Sequence, residues 1–140
     1  MTSHIRAELR RLVHERAGGA CEYCLIHERD TYLGCQVDHV VSEKHGGQTV
    51  LENLALACPF CNRAKGSDVG SFDDATGELV RFFNPRSDLW NEHFEIQGDR
   101  IVPKSIVGQV TERILKFNLP ERMLERRALT AIGRYPTMPA

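Results

Sequence analysis

The stretch that decides the fold lies between residues 21 and 66. It begins with Cys21-Glu22-Tyr23-Cys24 and passes through Val37-Asp38-His39-Val40. It ends with Cys58-Pro59-Phe60-Cys61-Asn62-Arg63-Ala64-Lys65-Gly66. Two Cys-x-x-Cys pairs therefore frame a segment in which an acidic residue precedes a histidine, so metal binding is the first chemistry to consider.

The two Cys-x-x-Cys pairs predict a structural zinc site. Thiolates are preferred zinc ligands, and two such turns close a tetrahedral four-cysteine site with no open position for chemistry. The predicted ligands are Cys21, Cys24, Cys58 and Cys61. The gap of residues 25–57 is longer than in most zinc ribbons, which indicates that a sizeable element is inserted between the two turns.

Two other uses of paired cysteines are disfavoured by the sequence. Thioredoxin-like redox motifs open a helix after a buried parallel strand, and the pair at Cys21 does not follow one. Zinc-dependent nucleobase deaminases place a proline directly before their cysteine pair, whereas Pro59 lies inside the second pair. The remaining cysteine, Cys35, has no pairing partner in the sequence and is expected to be a small buried residue.

The composition is ordinary for a globular protein, with 41% hydrophobic and 26% charged residues. A chain of 140 residues suffices for a single domain with a modest core. No apolar run approaches the roughly 18 residues of a membrane span, so no membrane partner is expected. The first residues, Met1-Thr2-Ser3-His4-Ile5-Arg6, lack the apolar core of a signal peptide, and the expected location is a reducing cytoplasm.

The charge is unevenly distributed along the chain, although the formal net charge is −1. Residues 67–99 carry 2 basic and 8 acidic side chains, whereas residues 100–134 carry 8 basic and 3 acidic ones. A basic C-terminal end could hold a phosphate backbone, and solvated helix faces would give the same pattern. The same two interpretations apply to four arginines near the N-terminus, which are Arg6, Arg10, Arg11 and Arg16.

Within the cysteine-framed stretch, apolar residues predict a strand over 31–41 and a returning strand over 48–51, with Asn53 in the connection after it. Pro59 suits the first position of a helix, and Gly66 suits the residue past its end. That helix is only about two turns long and too short to be stable alone, so bound zinc would supply the missing constraint.

Helices and strands are also predicted on both sides of this stretch. An N-terminal helix carries its apolar residues on one face and ends at a glycine pair; these residues are Ile5, Leu9, Leu12, Val13 and Gly18-Gly19. Farther on, we expect a strand over 78–83, a hairpin of 93–96 and 100–102, a helix from Ile106 to Phe117, and a last helix from Pro120 with Leu124, Ala128 and Ile132 on its apolar face.

The motifs of the central stretch together resemble the HNH endonuclease superfamily. The resemblance is carried by Asp38-His39, the Gly46-Gly47 turn, the Glu52-Asn53-Leu54 step and the run from Cys58 to Gly66. A later run is similar to an extension in a bacterial HNH subfamily; it comprises Phe82-Phe83-Asn84-Pro85-Arg86, Trp90 and His93-Phe94. Trp90, His93 and Phe94 are expected to serve in packing.

The resemblance implies a ββα-metal fold, in which a hairpin and a short helix grip one catalytic divalent ion. His39 matches the family's general base, and an imidazole suits proton transfer near neutral pH. Asp38 matches the metal-binding acid, and Asn53 matches the asparagine that orients the hairpin and thereby the base. The third position of the motif is Asn62 instead of histidine, which corresponds to the HNN variant of the superfamily.

The substitution at Asn62 bears on the choice of catalytic metal. Asp38 and Asn62 would both offer oxygen ligands, which suit Mg²⁺ or Mn²⁺ better than Zn²⁺. Two further residues are candidates for phosphate contact. Lys65 follows Asn62 by one helical turn and would otherwise be a solvated helix end. His45 precedes the glycine turn and would otherwise be an exposed loop residue.

The sequence therefore predicts an α+β protein with a small zinc-stapled core over about 18–66, an N-terminal helix, and a strand and helix extension over about 67–140. All of it, 1–140, is expected to form a single domain. The predicted function is a metal-dependent endonuclease that hydrolyses phosphodiester bonds in DNA. The alternative is a non-catalytic zinc module that binds nucleic acid or protein, which would have no need of the Asp38-His39 pair.

Overall fold

A computed structural model describes residues 4–139 and shows a mixed α+β architecture. Five helices and three two-stranded antiparallel sheets make up its regular structure. In chain order the elements are α1 (Ala7–Ala17), β1 (Gln36–His39), β2 (Leu54–Ala57), α2 (Pro59–Lys65), β3 (Gly70–Phe72), β4 (Leu79–Arg81), α3 (Trp90–His93), β5 (Phe94–Gln97), β6 (Arg100–Pro103), α4 (Ile106–Leu115) and α5 (Pro120–Ala131).

The centre of the fold is the hairpin of β1 and β2 followed directly by α2. The two strands pair antiparallel, with Gln36 opposite Ala57 and His39 opposite Leu54. Only Cys58 separates β2 from α2, and it caps the helix by accepting a hydrogen bond from the Cys61 amide. Helix α1 packs against this hairpin with Val13 on its buried side. The result is a ββα unit, as the sequence predicted.

The predicted positions of the two central strands need correction. Strand β1 is shorter than 31–41, because Tyr32 is fully exposed and Gly34 adopts a left-handed conformation with φ of 72°. The returning strand does not lie at 48–51, where the chain forms bends and then a 3₁₀ turn at Leu51–Asn53. It lies at Leu54–Ala57, so Asn53 precedes the strand instead of following it.

Most of the predicted C-terminal elements are confirmed. The hairpin of β5 and β6, helix α4 and helix α5 occur where the sequence predicts them, and β4 lies inside the predicted strand at 78–83. The partner of β4, the short strand β3, was missed. It begins at Gly70, where an added Cβ would lie 2.4 Å from the Val80 carbonyl oxygen, so glycine permits the close approach of the two strands.

The predicted apolar face of α5 is wrong. Leu124 and Ile132 are 66% and 65% exposed, whereas Arg122 and Arg126 are 4% and 2% exposed. Both buried guanidinium groups are satisfied by hydrogen bonds, for example from Arg126 Nε to the Asp99 carbonyl oxygen at 2.9 Å. Because periodicity counts arginine as a solvent-facing residue, it assigned this helix the opposite face.

The C-terminal extension packs onto the central hairpin through buried aromatic residues, as predicted for Trp90 and Phe94. The Trp90 indole donates a hydrogen bond to the Tyr23 carbonyl oxygen at 2.8 Å. The Tyr135 hydroxyl donates to the Cys24 carbonyl oxygen at 2.7 Å. One continuous hydrophobic core therefore includes residues of both regions. Among the helices of residues 4–139, none is long and apolar enough to cross a membrane.

Candidate metal centre and catalytic cleft

The four predicted zinc ligands converge on one point in the core. The sulfur atoms of Cys21, Cys24, Cys58 and Cys61 all lie within 4.8 Å of one another, and all four residues are buried. A zinc–sulfur distance of about 2.3 Å places the sulfurs of a tetrahedral site about 3.8 Å apart. The 3.6 Å between the sulfurs of Cys24 and Cys58 fits that spacing. The cluster is therefore a closed site suited to a structural zinc ion, and Cys35 lies outside it.

Hydrogen bonds to the sulfurs show how the surrounding chain supports this site. The amides of Cys24 and Cys61 each donate to the first sulfur of their own pair at 3.4 Å. The Arg122 guanidinium of α5 donates to the Cys61 sulfur at 3.2 Å and approaches the Cys58 sulfur at 3.7 Å. Burial alone would lower the pKa of Arg122, but the neighbouring thiolates raise it above its ordinary value. A buried cation thus offsets the negative charge of the thiolates.

A second site lies in an open cleft between β1 and α2, with a volume of about 470 Å³. We call this the cleft, and its walls include Arg10, Gln36, Asp38, His39, Glu43 and Asn62. The structure thus brings together three residues that the sequence singled out: the acid Asp38, the base His39 and the amide Asn62. None of the zinc-ligand cysteines lines the cleft.

Asp38 is held tightly at the wall of the cleft. Its carboxylate oxygen Oδ2 lies 3.0 Å from the Lys65 ammonium and 3.3 Å from the Tyr23 hydroxyl, which donates to it. Burial raises the pKa of the Asp38 carboxyl, and the charge and hydrogen bond of Lys65 act in the opposite direction. The carboxylate is therefore oriented before any ion binds.

His39, the last residue of β1, has one ring nitrogen in a defined contact. Its Nε2 lies 2.9 Å from the Thr49 hydroxyl and 3.9 Å from a carboxylate oxygen of Glu43. A hydrogen bond at one imidazole nitrogen fixes the orientation of the ring and influences which tautomer is present. Thr49 was not singled out from the sequence, because its contact depends on how the loop after β1 folds back.

Asn53 clamps the ends of that loop together. Its side-chain oxygen accepts a hydrogen bond from the Val41 amide, and its side-chain nitrogen donates to the carbonyl oxygens of Val41 and Gln48, each at 2.9 Å. The close approach also requires glycine at position 47, where an added Cβ would lie 1.7 Å from the Val41 carbonyl oxygen. These contacts fix the backbone of the loop that follows His39.

Asn62 faces the cleft from α2. Its side-chain nitrogen donates a hydrogen bond to the side-chain oxygen of Gln36 on β1. With the nitrogen engaged in this way, the side-chain oxygen of Asn62 is left as the atom available to a cation. An oxygen from Asn62 and one from Asp38 form the hard donor set that Mg²⁺ and Mn²⁺ prefer, so the residues present fit the predicted ion.

The two candidates for phosphate contact lie in different environments. His45 is exposed in the 3₁₀ turn Glu43–His45. Lys65 is only 2% exposed and donates to the His39 carbonyl oxygen at 2.9 Å in addition to its contact with Asp38. Lys65 is therefore not the solvated helix end that was the alternative interpretation.

The structure also distinguishes between the N-terminal arginines. Arg10 is exposed and lines the cleft, with its Nε donating to the Ile5 carbonyl oxygen at 2.9 Å. Arg11 pairs with Glu15 on the surface at 2.8 Å. Arg16 instead donates to the Leu51 carbonyl oxygen at 2.8 Å and serves the packing of α1. Only the fold shows which arginine reaches the cleft, since all of them look alike in sequence.

Comparison with known families agrees with this arrangement. The family model described as HNH endonuclease matches residues 21–68, a range that contains both zinc-ligand pairs and the hairpin with α2. This match covers 48 of the 140 residues, so the similarity to HNH endonucleases is established for that region. The presence of an HNH domain indicates nuclease-type activity with metal binding and a nucleic acid as partner. No curated protein and no solved structure gives a significant match to the chain.

Proposed function

We propose that this HNH protein is a metal-dependent endonuclease that hydrolyses phosphodiester bonds in DNA. The observation that carries the proposal is the convergence of Asp38, His39 and Asn62 on one open cleft that is separate from the sealed cysteine cluster. A zinc module that only binds a partner requires the cluster but not this cleft.

His39 is assigned the role of general base. With Nε2 held by Thr49, the other ring nitrogen, Nδ1, is the atom that accepts a proton from a water molecule. The resulting hydroxide attacks the phosphorus atom, and the bond from phosphorus to the leaving oxygen breaks. Asn53 acts indirectly in this scheme, because its hydrogen bonds fix the loop that follows His39.

Asp38 and Asn62 are assigned as the protein ligands of a divalent ion in the cleft. When bound there, Mg²⁺ or Mn²⁺ stabilises the charge that develops on the phosphate and on the leaving oxygen. Arg10 is assigned to a phosphate oxygen of the bound strand, since it is the exposed cation on the α1 side of the cleft. His45, exposed near the same loop, is a second candidate for phosphate contact.

We further propose that the chain, 1–140, forms a single domain. The HNH core at about 18–66 and the extension at about 67–140 share one hydrophobic core. Arg122 and Tyr135 of the extension both bind atoms of the zinc-ligand cysteines. These contacts support cooperative unfolding of the two regions.

The assignment of His39 is tested by comparing three zinc-loaded proteins on plasmid and branched DNA with Mg²⁺ or Mn²⁺. We expect His39→Ala to reduce the cleavage rate by about 10²–10⁴-fold, the usual contribution of a positioned base. The matched control is His4→Ala, which alters an exposed histidine outside the cleft and should cleave at the parental rate. A His39→Ala protein that cuts as fast as the parent would refute the assignment, and a parent that binds DNA without cutting it would support the binding-module alternative.

A further inference from the structure

The feature that the proposed mechanism leaves unexplained is the buried ammonium group of Lys65. It is 2% exposed and lies 3.0 Å from the carboxylate proposed to bind a cation. A fixed positive charge beside a cation ligand weakens ion binding in a region of low dielectric constant. A contact with substrate phosphate does not explain the position of Lys65 either, since the group is turned into the protein.

The contacts of Asp38 show what the buried ammonium achieves. Lys65 and Tyr23 both bind the same carboxylate oxygen, Oδ2, at 3.0 and 3.3 Å. The other oxygen, Oδ1, accepts no hydrogen bond from any of the residues 4–139. It is also not among the fully buried polar side-chain atoms of these residues that lack a hydrogen-bond partner. One oxygen is thus fixed to the protein, and the other remains available at the cleft.

The second contact of Lys65 ties the acid to the base. The same ammonium donates to the His39 carbonyl oxygen at 2.9 Å. Lys65 therefore connects helix α2 to both Asp38 and His39 on β1. Moving Lys65 to a phosphate would break both contacts and leave the Asp38 carboxylate buried beside Tyr23 alone, which is unfavourable for a charged group.

We propose that Lys65 is a positioning residue that makes Asp38 a one-oxygen ligand and keeps the ion affinity of the free protein low until a substrate phosphate enters the cleft. This inference rests on the proposed function. The phosphate supplies the negative charge that the Asp38–Lys65 pair lacks, so ion and nucleic acid bind with positive coupling.

The test is a Mn²⁺ binding titration, followed by the electron paramagnetic resonance signal of free Mn²⁺, on zinc-loaded protein at mildly alkaline pH. Without DNA, Lys65→Met should tighten Mn²⁺ binding by about tenfold or more, because a nearby buried like charge is removed. Lys65→Arg keeps the charge and should stay close to the parent. The matched control Arg63→Met removes an exposed cation of the same helix and should shift the affinity by less than about twofold, because water screens that charge.

A second titration adds a duplex oligonucleotide to proteins that carry His39→Ala, so that the DNA stays intact. DNA should tighten Mn²⁺ binding when Lys65 is present, and this gain should shrink with Lys65→Met. Unchanged or weaker Mn²⁺ binding by Lys65→Met without DNA would overturn the proposal, and an accompanying loss of DNA affinity would favour a phosphate contact instead. A parent protein that binds no Mn²⁺ with or without DNA would instead refute the ion site of the proposed function.

If Lys65→Met does not fold, nuclear magnetic resonance on the unmodified protein tests whether Lys65 stays bound to Asp38. The buried ammonium of Lys65 should give a ¹⁵N signal protected from exchange with water, and the protection should persist at saturating Mg²⁺. Loss of the protected signal when Mg²⁺ or DNA binds would show that Lys65 leaves Asp38, and the proposal would be wrong.

Discussion

The cysteine cluster and the proposed ion site in the cleft are built on opposite principles. In the cluster every ligand is a buried thiolate, and the four sulfurs surround one point. In the cleft the two proposed ligands are oxygens on one side of an open space. A closed ligand set holds an ion permanently for structure, whereas an incomplete set leaves coordination positions for water and phosphate.

The two regions nevertheless share one device, a buried cation supplied by a helix. Arg122 of α5 donates to the thiolates, and Lys65 of α2 pairs with Asp38. At the cluster the cation offsets an excess of negative charge and should strengthen ion retention. At the cleft it neutralises the Asp38 carboxylate and should weaken ion binding. The same device therefore has opposite consequences, and the following variants test that contrast.

The largest effect is expected from the zinc ligands themselves. Cys58→Ser should release the zinc, loosen α2 and unfold the protein at lower denaturant concentration, since apparent zinc binding energies of about 10–16 kcal/mol contribute directly to folding. The measurement is zinc content together with a denaturation curve. Cys35→Ser is the control, because it alters a buried thiol outside the cluster and should retain one zinc per chain. Zinc-free parent protein of normal stability would contradict the structural role.

A smaller effect is expected from the cation beside the cluster. Arg122→Met should lower zinc affinity by about 10–100-fold, the usual cost of losing a group that hydrogen-bonds to metal ligands. Competition with a chromogenic chelator measures this affinity. Arg127→Met changes an exposed arginine on the same helix and should leave zinc affinity unchanged. Equal zinc loss from both variants, or from neither, would show that Arg122 does not support the site.

The smallest shift is expected at the amide ligand of the cleft. Asn62→Ala should raise the Mg²⁺ concentration needed for half-maximal cleavage by about tenfold, which corresponds to about 1.4 kcal/mol. Asn62→His should move the metal preference toward Ni²⁺ or Co²⁺, because an imidazole nitrogen is a softer ligand than an amide oxygen. Cleavage rates against metal concentration measure both effects. An Asn62→Ala profile identical to that of the parent would show that Asn62 only bonds to Gln36.

The cysteine cluster could be predicted from sequence because its signal is local. The Cys-x-x-Cys spacing alone places both sulfurs of a pair on one turn. In a reducing environment, paired cysteines favour a metal ion over a disulfide. The Asp38, His39 and Asn62 positions followed from a family resemblance, and the structure brings them to one cleft. What remains a prediction is their chemistry, which the experiments above address.

The errors of the sequence prediction have a common physical cause. In the sequence, Arg122 is indistinguishable from a surface residue. Its burial depends on the Cys61 sulfur, which lies 61 positions away in the chain and accepts its hydrogen bond in the core. The sequence leaves Lys65 as either a phosphate contact or a solvated helix end, because it does not show that β1 brings Asp38 beside it. Periodicity assigns polar residues to solvent, and it fails where a distant partner makes burial of a charge favourable.

Burial also accounts for the misplaced strand and for the charge pattern. All four residues of β2 are buried, so the strand lacks the alternation that marks a half-exposed strand. The basic C-terminal end is in large part internal or paired: Arg122 and Arg126 are buried, and Arg113 pairs with Asp74 at 2.8 Å. The charge asymmetry seen in the sequence is therefore only partly available to a phosphate backbone.

The proposed mechanism assigns two ions to separate roles, a retained zinc for structure and a loosely bound hard ion for hydrolysis. It is tested most directly by the cleavage rate of protein that holds one zinc per chain and has been freed of weakly bound ions, titrated with Mg²⁺. This mechanism predicts no cleavage with zinc alone, recovery of cleavage on addition of Mg²⁺ or Mn²⁺, and unchanged zinc content throughout. Full cleavage by protein that holds only the zinc, or no cleavage with any added ion, would contradict it.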